Sequence, residues 1–568
     1  MNEITADVVK SVIRGRLSLN VIKIVFFITV LNFIVIKNTH AQAYFGGVQK
    51  GDKEKFEKIE RQQKIKSLKK DPLLEKTVDT SAIESDKTMA LPLSSSNARI
   101  QIDKILFSDS NFLSKEELSS VTTTYENKRL TFTDLSELIN KINKLYQSKG
   151  VITARAVLPP QKISNGQINI QLVEAKLANI EITKNEFTDS DYILDRINAQ
   201  TGEFIDIKTL EQNLISFNAI NDIKLRANLQ SGPTPGTSDY LFEVFEPKNS
   251  VLSLYIDNFG RDTTGKERAS LAYNNQSLFG QRDQFYIVGV YAQGTESVYT
   301  SYNYPINVYG TRLGGSIDYS TFSIVDGELE KFNIAGGSTV LNLYVSHPLY
   351  SVGNSGWTTQ LGVSAKTSET EFDGVDSFKN DHKTMIWGND LHYISEDWMI
   401  FASPAVVVGV PSFGSEDSFG IFNVELNFIW TPDDKNKLLL KAGGQVSDTD
   451  QLPSSEQFLL GGSNSVRGFT EGYIVADNGY VLNAEYQTYS DYFSDLRISI
   501  FVDHGRGKTS APIGAIDVNK KITSMGFGAN YHWGQTISLD FIAAAPIFNK
   551  PLEADDFQIH AMFVYDIF

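Results

Sequence analysis

The C-terminal part of the sequence, from Lys248 to Phe568, consists of segments of about ten residues in which apolar and polar side chains alternate. One segment reads Leu482-Asn483-Ala484-Glu485-Tyr486-Gln487, with every second residue apolar. Turns rich in Gly, Asn, Asp and Ser separate the segments. Because successive side chains of a strand lie on opposite faces of a sheet, the pattern predicts a long β region with one apolar and one polar face.

Two kinds of β protein satisfy this alternation. A soluble sandwich packs its apolar face against a second sheet, whereas a membrane barrel exposes that face to lipid and surrounds water with the polar face. At about 20 residues per strand and connection, the region 248–568 holds about 16 strands, an even number as bacterial barrels have. The chain has no Cys, is rich in Gly, Tyr and Phe, and ends in Phe568. We therefore expect a transmembrane antiparallel β-barrel rather than a soluble all-β domain, since closure leaves no unpaired edge in lipid.

The first 43 residues are typical of a secretory signal. Basic residues precede an apolar run from Ile24 to Ile36, and Ala41-Gln42-Ala43 gives a small-x-small cleavage pattern. The run is shorter than the roughly 20 apolar residues that cross a bilayer as a helix. We expect residues 1–43 to be a cleaved signal peptide, with a retained anchor as the alternative because Lys37 follows the run directly.

A basic helix is predicted next, over residues 44–71. Residues 50–70 carry nine basic and four acidic side chains, a net charge of 9 − 4 = +5 in a chain whose net charge is −16. Three glutamates precede basic residues at the i, i+4 spacing that stabilises helices: Glu54–Lys58, Glu57–Arg61 and Glu60–Lys64. Such a helix, polar all round, is either a solvated spacer or lies in a wet cavity. Residues 72–97, which follow Asp71 and are rich in Pro and Ser, are expected to form a flexible linker.

Two small α/β modules are predicted between the linker and the β region, over residues 98–175 and 176–247. In the first, Leu135, Leu138, Ile142 and Tyr146 share one face of a helix for which Thr133 is the expected N-cap. Each module combines strands with two helices, and neither contains a convergent polar cluster. We expect binding or scaffold modules rather than catalytic domains.

The composition argues against several other functions. The acidic balance, with a pI near 5.0, disfavours binding to nucleic acid. The absence of Cys and the seven scattered His leave little for a metal site, and no cofactor is expected. The stretch Gly505-Arg506-Gly507-Lys508-Thr509 resembles a phosphate-binding loop, but Val502 stands where the motif requires an earlier Gly. We therefore do not expect an enzyme.

Two motifs in the β region make the sequence similar to a known family. Leu452-Pro453-Ser454-Ser455-Glu456-Gln457-Phe458 precedes Val466-Arg467-Gly468-Phe469, and Phe501-Val502-Asp503-His504-Gly505 matches a Phe-x-Asp-x-Gly strand pattern. With the order signal, charged helix, linker, two modules and barrel, the whole mature chain resembles the outer-membrane transporters of two-partner secretion. In that family the modules are called POTRA domains. The motif Val466-Arg467-Gly468-Phe469 marks the tip of an inward-folded sixth loop, here near residues 452–475.

The resemblance implies a resting state of the pore. It implies that Arg467 of the sixth-loop motif (Val466, Arg467, Gly468, Phe469) pairs with Asp503 of the strand motif (Phe501, Asp503, Gly505). Alternation independently puts Asp503 on the polar face with Arg497 and Ser499. The resemblance also implies that the N-terminal helix plugs the lumen of the barrel. That helix carries Lys53, Lys58, Arg61 and Lys64, and the lumen carries acidic residues such as Asp257 and Glu485. A solvated Arg467 and a free spacer helix are the alternatives.

The resemblance also implies a function and a location. It implies export of a large secreted exoprotein (an adhesin, haemolysin or contact-dependent toxin) through the outer membrane of a Gram-negative bacterium, without nucleotide hydrolysis. The exoprotein would bind the periplasmic POTRA domains in extended form, by strand addition to a sheet edge such as Val151–Leu158 or one in the second module. Outer-membrane lipid and the outer-membrane assembly machinery are further expected partners. The alternative is an outer-membrane insertase of the same superfamily, and a diffusive porin explains the modules least well.

One position departs from the family pattern. Barrels of this family commonly have an aromatic residue two positions before the terminal Phe, and here that position is Asp566. Tyr565 and Ile567 lie on the opposite face of the strand. We expect either a shifted register of the last strand or a degenerate assembly signal.

Overall fold

The computed structural model describes residues 78–80, 99–411, 418–449, 452–509, 518–548 and 554–568. The predicted signal peptide (1–43) and basic helix (44–71), with Lys53, Lys58, Arg61 and Lys64, lie outside the described residues. The described residues up to Pro247 form one compact unit, and those from Lys248 onward belong to a second. Within the described residues, no helix is both long enough and apolar enough to cross a membrane.

The first α/β module lies within residues 99–175. Its elements, numbered after the short strand β1 (Val78–Asp79), are β2 (Ile100–Ile102), β3 (Lys104–Phe107), α1 (Lys115–Thr122), β4 (Lys128–Leu130), α2 (Phe132–Ser148), β5 (Ala154–Val157) and β6 (Gln167–Glu174). The three-stranded sheet has the order β3-β6-β5, with β3 and β6 parallel, and β2 pairs separately with β4. The predicted apolar face of α2 is buried against this module's core.

The N-cap of α2 differs from the prediction. Thr131, not Thr133, caps the helix, because Thr131 Oγ1 accepts the Asp134 N–H while the Asp134 carboxylate accepts the Thr131 N–H at 2.7 Å. This reciprocal capping box satisfies two backbone donors that a single cap at Thr133 would leave open. The helix therefore begins at Phe132, before the position that the sequence suggested.

The second module occupies residues 176–247 and adds an unexpected strand. Its elements are β7 (Lys176–Thr183), α3 (Ser190–Ile197), α4 (Ile207–Ile220), β8 (Lys224–Ser231) and β9 (Thr237–Phe245). The sheet has the order β1-β8-β9-β7, so Val78–Asp79 pairs in parallel with Ala227 and Asn228. The expected flexible linker, 72–97, thus contains a strand, because the Val78 side chain is buried in the core of the second module.

The second unit is a closed barrel of 16 strands, as the sequence predicts. Its strands are β10 (Ser250–Asp257), β11 (Arg268–Asn275), β12 (Gln284–Ala292), β13 (Thr295–Pro305), β14 (Arg312–Ser323), β15 (Ile334–Val352), β16 (Ser355–Phe372), β17 (Val375–Ile394), β18 (Trp398–Gly409), β19 (Phe419–Trp430), β20 (Asn436–Ser447), β23 (Asn478–Tyr489), β24 (Leu496–Thr509), β25 (Val518–Trp533), β26 (Ile537–Pro546) and β27 (Gln558–Asp566). Neighbouring strands are antiparallel, and β27 pairs with β10 to close the barrel.

The two faces of the barrel wall follow the alternation. On β24, Ile500 is 65% exposed on the outer face, whereas Asp503 on the lumenal face is fully buried. The outer face is therefore the apolar one, as a wall that contacts lipid requires. Asp566 lies on the lumenal face opposite Ser253, whose hydroxyl donates a hydrogen bond to its carboxylate. The last strand consequently puts Tyr565 toward lipid, and an acidic residue at 566 is accommodated without exposing it there.

Candidate functional site in the barrel lumen

The connection between β20 and β23, residues 448–477, is the sixth one at the barrel end opposite Ser250, and we call it the sixth loop. It contains a short hairpin of β21 (Phe458–Leu460) and β22 (Ile474–Ala476). Apolar residues of the loop are buried together: Leu460, Val466, Phe469, Ile474 and Ala476. The hairpin contacts strands β23 and β24 of the barrel wall. The loop is thus packed against the inner wall of the barrel.

Two glycines of β24 make room for this packing. A Cβ atom added to Gly505 would lie 2.9 Å from Leu460 Cδ2 and 3.1 Å from Val466 Cγ2. One added to Gly507 would lie 2.6 Å from Ile474 Cγ2. Since real Cβ atoms keep greater distances in packed interiors, only glycine permits the observed approach of loop and wall. This gives a physical reason for the glycine of the strand motif.

Arg467 at the loop tip (Val466–Phe469) binds Asp503 on β24 through three hydrogen bonds. Its Nε donates to Asp503 Oδ2 and its Nη2 to Asp503 Oδ1, both at 2.9 Å, and its backbone N–H donates to Oδ2 at 3.1 Å. Asp503 is fully buried and Arg467 is 8% exposed. A bidentate guanidinium–carboxylate pair fixes orientation as well as distance. The structure brings together the two residues that the sequence predicted to pair.

Three further side chains surround this ion pair. Glu485 on β23 accepts a hydrogen bond from Arg467 Nη1, and Asn483 on the same strand donates to Asp503 Oδ1 at 2.8 Å. The Phe501 ring lies under the guanidinium, with Cζ 3.3 Å from the ring centroid, in cation–π geometry. Alternation placed Glu485 in the lumen but did not identify it as a partner of Arg467, and nothing in the sequence singled out Asn483.

The backbone of the tip is also held closely. A Cβ atom on Gly468 would lie 2.5 Å from Ser524 Cβ and 3.0 Å from the carbonyl carbon of Ala545, so glycine is required there. The carbonyl oxygen of Arg467 accepts a hydrogen bond from the Nε2–H of His560 on β27 at 2.8 Å. Sequence reasoning missed His560, because its distance along the chain from Arg467 gives no signal of the contact.

Another acidic residue of the lumen is also paired with a cation. Asp257, expected among the lumenal acids that attract a basic plug, is bound by Arg268 through Nε at 2.8 Å and Nη2 at 3.0 Å. Both side chains are 5% exposed. Arg268 therefore neutralises Asp257, and its attraction for a basic helix is reduced. Among the residues that the structure describes, no group of three or more His, Asp or Glu is arranged as metal ligands.

Comparison with known proteins identifies the class of this barrel. Residues 236–531 match the family model described as haemolysin secretion/activation protein ShlB/FhaC/HecB. Residues 100–175 match the model of a POTRA domain of the ShlB type. The first match covers more than half of the chain and includes both site motifs.

Individual relatives agree with the family match. The heme/hemopexin transporter protein HuxB of Haemophilus influenzae is 24% identical over 469 residues, covering 78% of this chain and 82% of the relative. The outer membrane transporter CdiB of Escherichia coli is 24% identical over 407 residues, covering 68% of each chain. The solved structure of CdiB from Escherichia coli matches the fold with a TM-score of 0.63 at 18% identity, covering 93% of this chain and 100% of that one. The chain therefore belongs to the ShlB/FhaC/HecB family: it is a two-partner secretion transporter of the outer membrane, with periplasmic POTRA modules and a transmembrane barrel.

Proposed function

We propose that this transporter exports one large exoprotein (an adhesin, haemolysin or contact-dependent toxin) and that the sixth loop closes the lumen until that partner arrives. The observation that carries the proposal is the buried contact of Arg467 with Asp503 and Glu485. One guanidinium faces two carboxylates in a lumenal pocket, so its removal leaves buried negative charge without compensation. Directional ionic contacts of this kind can be exchanged for contacts with another polar chain, whereas a continuous apolar core cannot.

The partner is proposed to bind the POTRA modules as an extended strand. In the first module β3 and β5 are the outer strands of the sheet, and in the second β7 is an outer strand. On β5, the Ala156 N–H already donates to Asn143 Oδ1 at 2.7 Å. A strand added at β5 therefore has to replace a side-chain hydrogen bond with a backbone one, which keeps the edge protected at rest.

We further propose that residues 44–71 form a basic helix that plugs the pore, with Lys53, Lys58, Arg61 and Lys64 on its charged surface. The lumenal acids support this role less strongly than the sequence suggested, because Arg268 neutralises Asp257. Deleting residues 50–70 is expected to raise single-channel conductance in a planar bilayer. A channel of unchanged conductance would show that the segment is a spacer.

The driving force of export and the membrane partners of the barrel are also proposed. The periplasm offers no nucleotide supply, so folding of the exoprotein outside the cell is proposed as the driving force. Lipid contacts the apolar outer face of the barrel, and the outer-membrane assembly machinery is proposed to insert it. No nucleic acid, cofactor or catalytic step is part of the proposal.

A secretion assay tests the proposed function. The large protein encoded beside this chain's gene is produced in cells with and without the transporter, and its amount in the medium is measured. We expect the partner in the medium only when the transporter is present. A partner that stays in the periplasm, together with other barrels that fail to assemble on depletion of this chain, would instead establish the insertase alternative.

A further inference from the structure

A second ionic cluster lies at the beginning of the sixth loop, away from the Arg467 pocket. Glu456 ends a short helical turn, Ser454–Glu456, that precedes β21. Its side chain is buried, with a residue exposure of 5%. We call residues 452–457 the loop base. A buried carboxylate requires partners that compensate its charge and satisfy its oxygens.

Two partners of the Glu456 side chain come from the barrel wall. Lys366 Nζ on β16 forms a salt bridge with Glu456 Oε1. His382 Nε2 on β17 donates a hydrogen bond to the same oxygen at 2.9 Å, since a carboxylate only accepts. The side chains of Lys366 and His382 are 14% and 3% exposed. The ion pair is therefore shielded from solvent, and a buried ion pair is screened by salt less than an exposed one.

The backbone of the loop base is held to the wall as well. Gln445 on β20 donates through Nε2 to the carbonyl oxygens of Glu456 at 2.9 Å and of Asp477 at 3.0 Å, so it ties the start of the loop to its end. Leu452 is buried against apolar side chains of β18 and β19: Val407, Phe419 and Ile421. The base thus contacts β16 to β20, whereas the tip is bound by β23, β24 and β27.

We infer that Glu456 is a positioning residue that anchors the base of the sixth loop to the wall through Lys366 and His382, independently of the Arg467 tether at the tip. The inference rests on the proposed function, in which the loop closes the lumen. With two anchors on different strands, release of the tip lets the loop swing about a fixed base. Release of the base frees the start of the loop even while Arg467 stays bound.

A double neutralisation separates this role from a merely structural one. Glu456→Gln or Lys366→Met alone removes one charge of a buried ion pair, which destabilises the barrel whatever the loop does. Glu456→Gln combined with Lys366→Met removes both charges and keeps a side chain that accepts from His382. If the pair only supports folding, this double variant restores the wild-type behaviour. If the pair is an anchor, the double variant assembles but its loop base is loose.

The measurement is the rate at which a cysteine in the loop reacts with a membrane-impermeant maleimide in intact cells. The chain has no native Cys, so Leu460→Cys, a fully buried position between base and tip, is a single reporter. All variants are built in this background, and heat-modified gel mobility measures barrel assembly. Lys379→Met is the matched control, because Lys379 pairs with Glu369 across the same two strands at 3.0 Å but is 61% exposed.

The double variant is expected to assemble at the reference level, to label roughly tenfold faster, and to export less partner. Lys379→Met is expected to label and export as the reference does. Reference-level labelling and export in the assembled double variant would overturn the anchor. If the wild-type chain exports no partner, the proposed function fails, while the labelling rates in the Leu460→Cys background still decide whether Glu456 anchors the loop.

Discussion

The POTRA modules bury their large apolar side chains at the centre, whereas the barrel exposes many of its own on the outer face of the wall. In the first module Leu138 and Ile142 are fully buried at the centre, whereas in the barrel Ile500 and Leu343 are about two-thirds exposed, at 65% and 63%. The modules are stabilised by apolar burial in water. The barrel faces lipid, so its interior is free to contain charges. The sixth loop is accordingly held to the wall by buried ion pairs as well as by apolar packing, and the ionic contacts are the part that the POTRA cores lack.

Each region nevertheless contains a buried polar hub. In the first module Glu174 accepts hydrogen bonds from Ser110 Oγ, from the Asn111 N–H at 2.9 Å and from Tyr146 OH at 2.8 Å. Those donors are neutral and belong to the same compact module. In the barrel the Asp503 carboxylate is compensated by a cation on a loop. The comparison predicts that disrupting the Glu174 hub affects folding of one module, and that disrupting the Asp503 hub affects export.

The largest effect is expected for Arg467→Ala. Removal of one partner from a buried ion pair costs about 3–5 kcal/mol, and here it takes away the cation that both Asp503 and Glu485 contact. We expect export to fall at least about tenfold, while heat-modified gel mobility still shows an assembled barrel because the strand ladder is unchanged. Arg506→Ala, on the same strand but hydrogen-bonded to Asn519 at an exposed position, is the matched control. Undiminished export from the Arg467 variant would contradict the tether.

Glu174→Gln tests the other side of the comparison. The Glu174 carboxylate accepts four hydrogen bonds, including one from Asn111 Nδ2 at 3.1 Å, and the amide cannot accept them all. We therefore expect the free energy of unfolding of the first module to fall by about 2–3 kcal/mol. Hydrogen exchange of the α2 amides in the full-length transporter measures this loss. The barrel amides are expected to exchange as in the wild type. Equal acceleration in both units would show that the hub is not confined to the module.

A smaller effect on the loop is expected from Gly468→Ala. The added Cβ would lie 2.5 Å from Ser524 Cβ, and overpacking of this kind costs about 1–3 kcal/mol. The tip should shift from the wall and weaken the Arg467 contacts, which reduces export less than Arg467→Ala does. Gly289→Ala on β12, where an added Cβ has no atom within 4 Å, serves as the control. Equal export from both alanine variants would argue against close packing at the tip.

The smallest effect is a pH dependence of the first module. Burial raises the pKa of Glu174, but the hydrogen bonds from Ser110, Asn111 and Tyr146 outweigh burial, so that its pKa is lowered from 4.5. Because the folded-state pKa is the lower one, this contribution to stability is present above pH 4.5 and is lost as the pH falls through the folded-state value. Amide exchange of α2 should show this loss in the wild type and not in Glu174→Gln. A loss of equal size in the variant would assign it to other groups.

The sequence predicted the barrel, its strand number and the lumenal face of Asp503, because period-two alternation fixes which face a residue occupies. It did not predict that Glu485, His560 or the Lys366–Glu456 pair belong to loop contacts. Alternation gives neither the height of a residue in the barrel nor its place around the wall, and both depend on the register of many strands. The prediction of Thr133 as the N-cap was wrong, because apolar spacing does not show the reciprocal hydrogen bonds between Thr131 and Asp134 that begin the helix.

Site-specific cross-linking is the most direct test of whether the partner passes through the barrel lumen. A photoreactive side chain is introduced either at Asn342, on the lumenal face of β15, or at its neighbour Leu343, which is 63% exposed on the outer face. The partner is stalled during export by a tightly folding domain fused to its C-terminus. We expect cross-links to the partner from position 342 and not from position 343. Cross-links to the partner from 343 alone, or to other outer-membrane barrels in place of the partner, would contradict passage through the lumen.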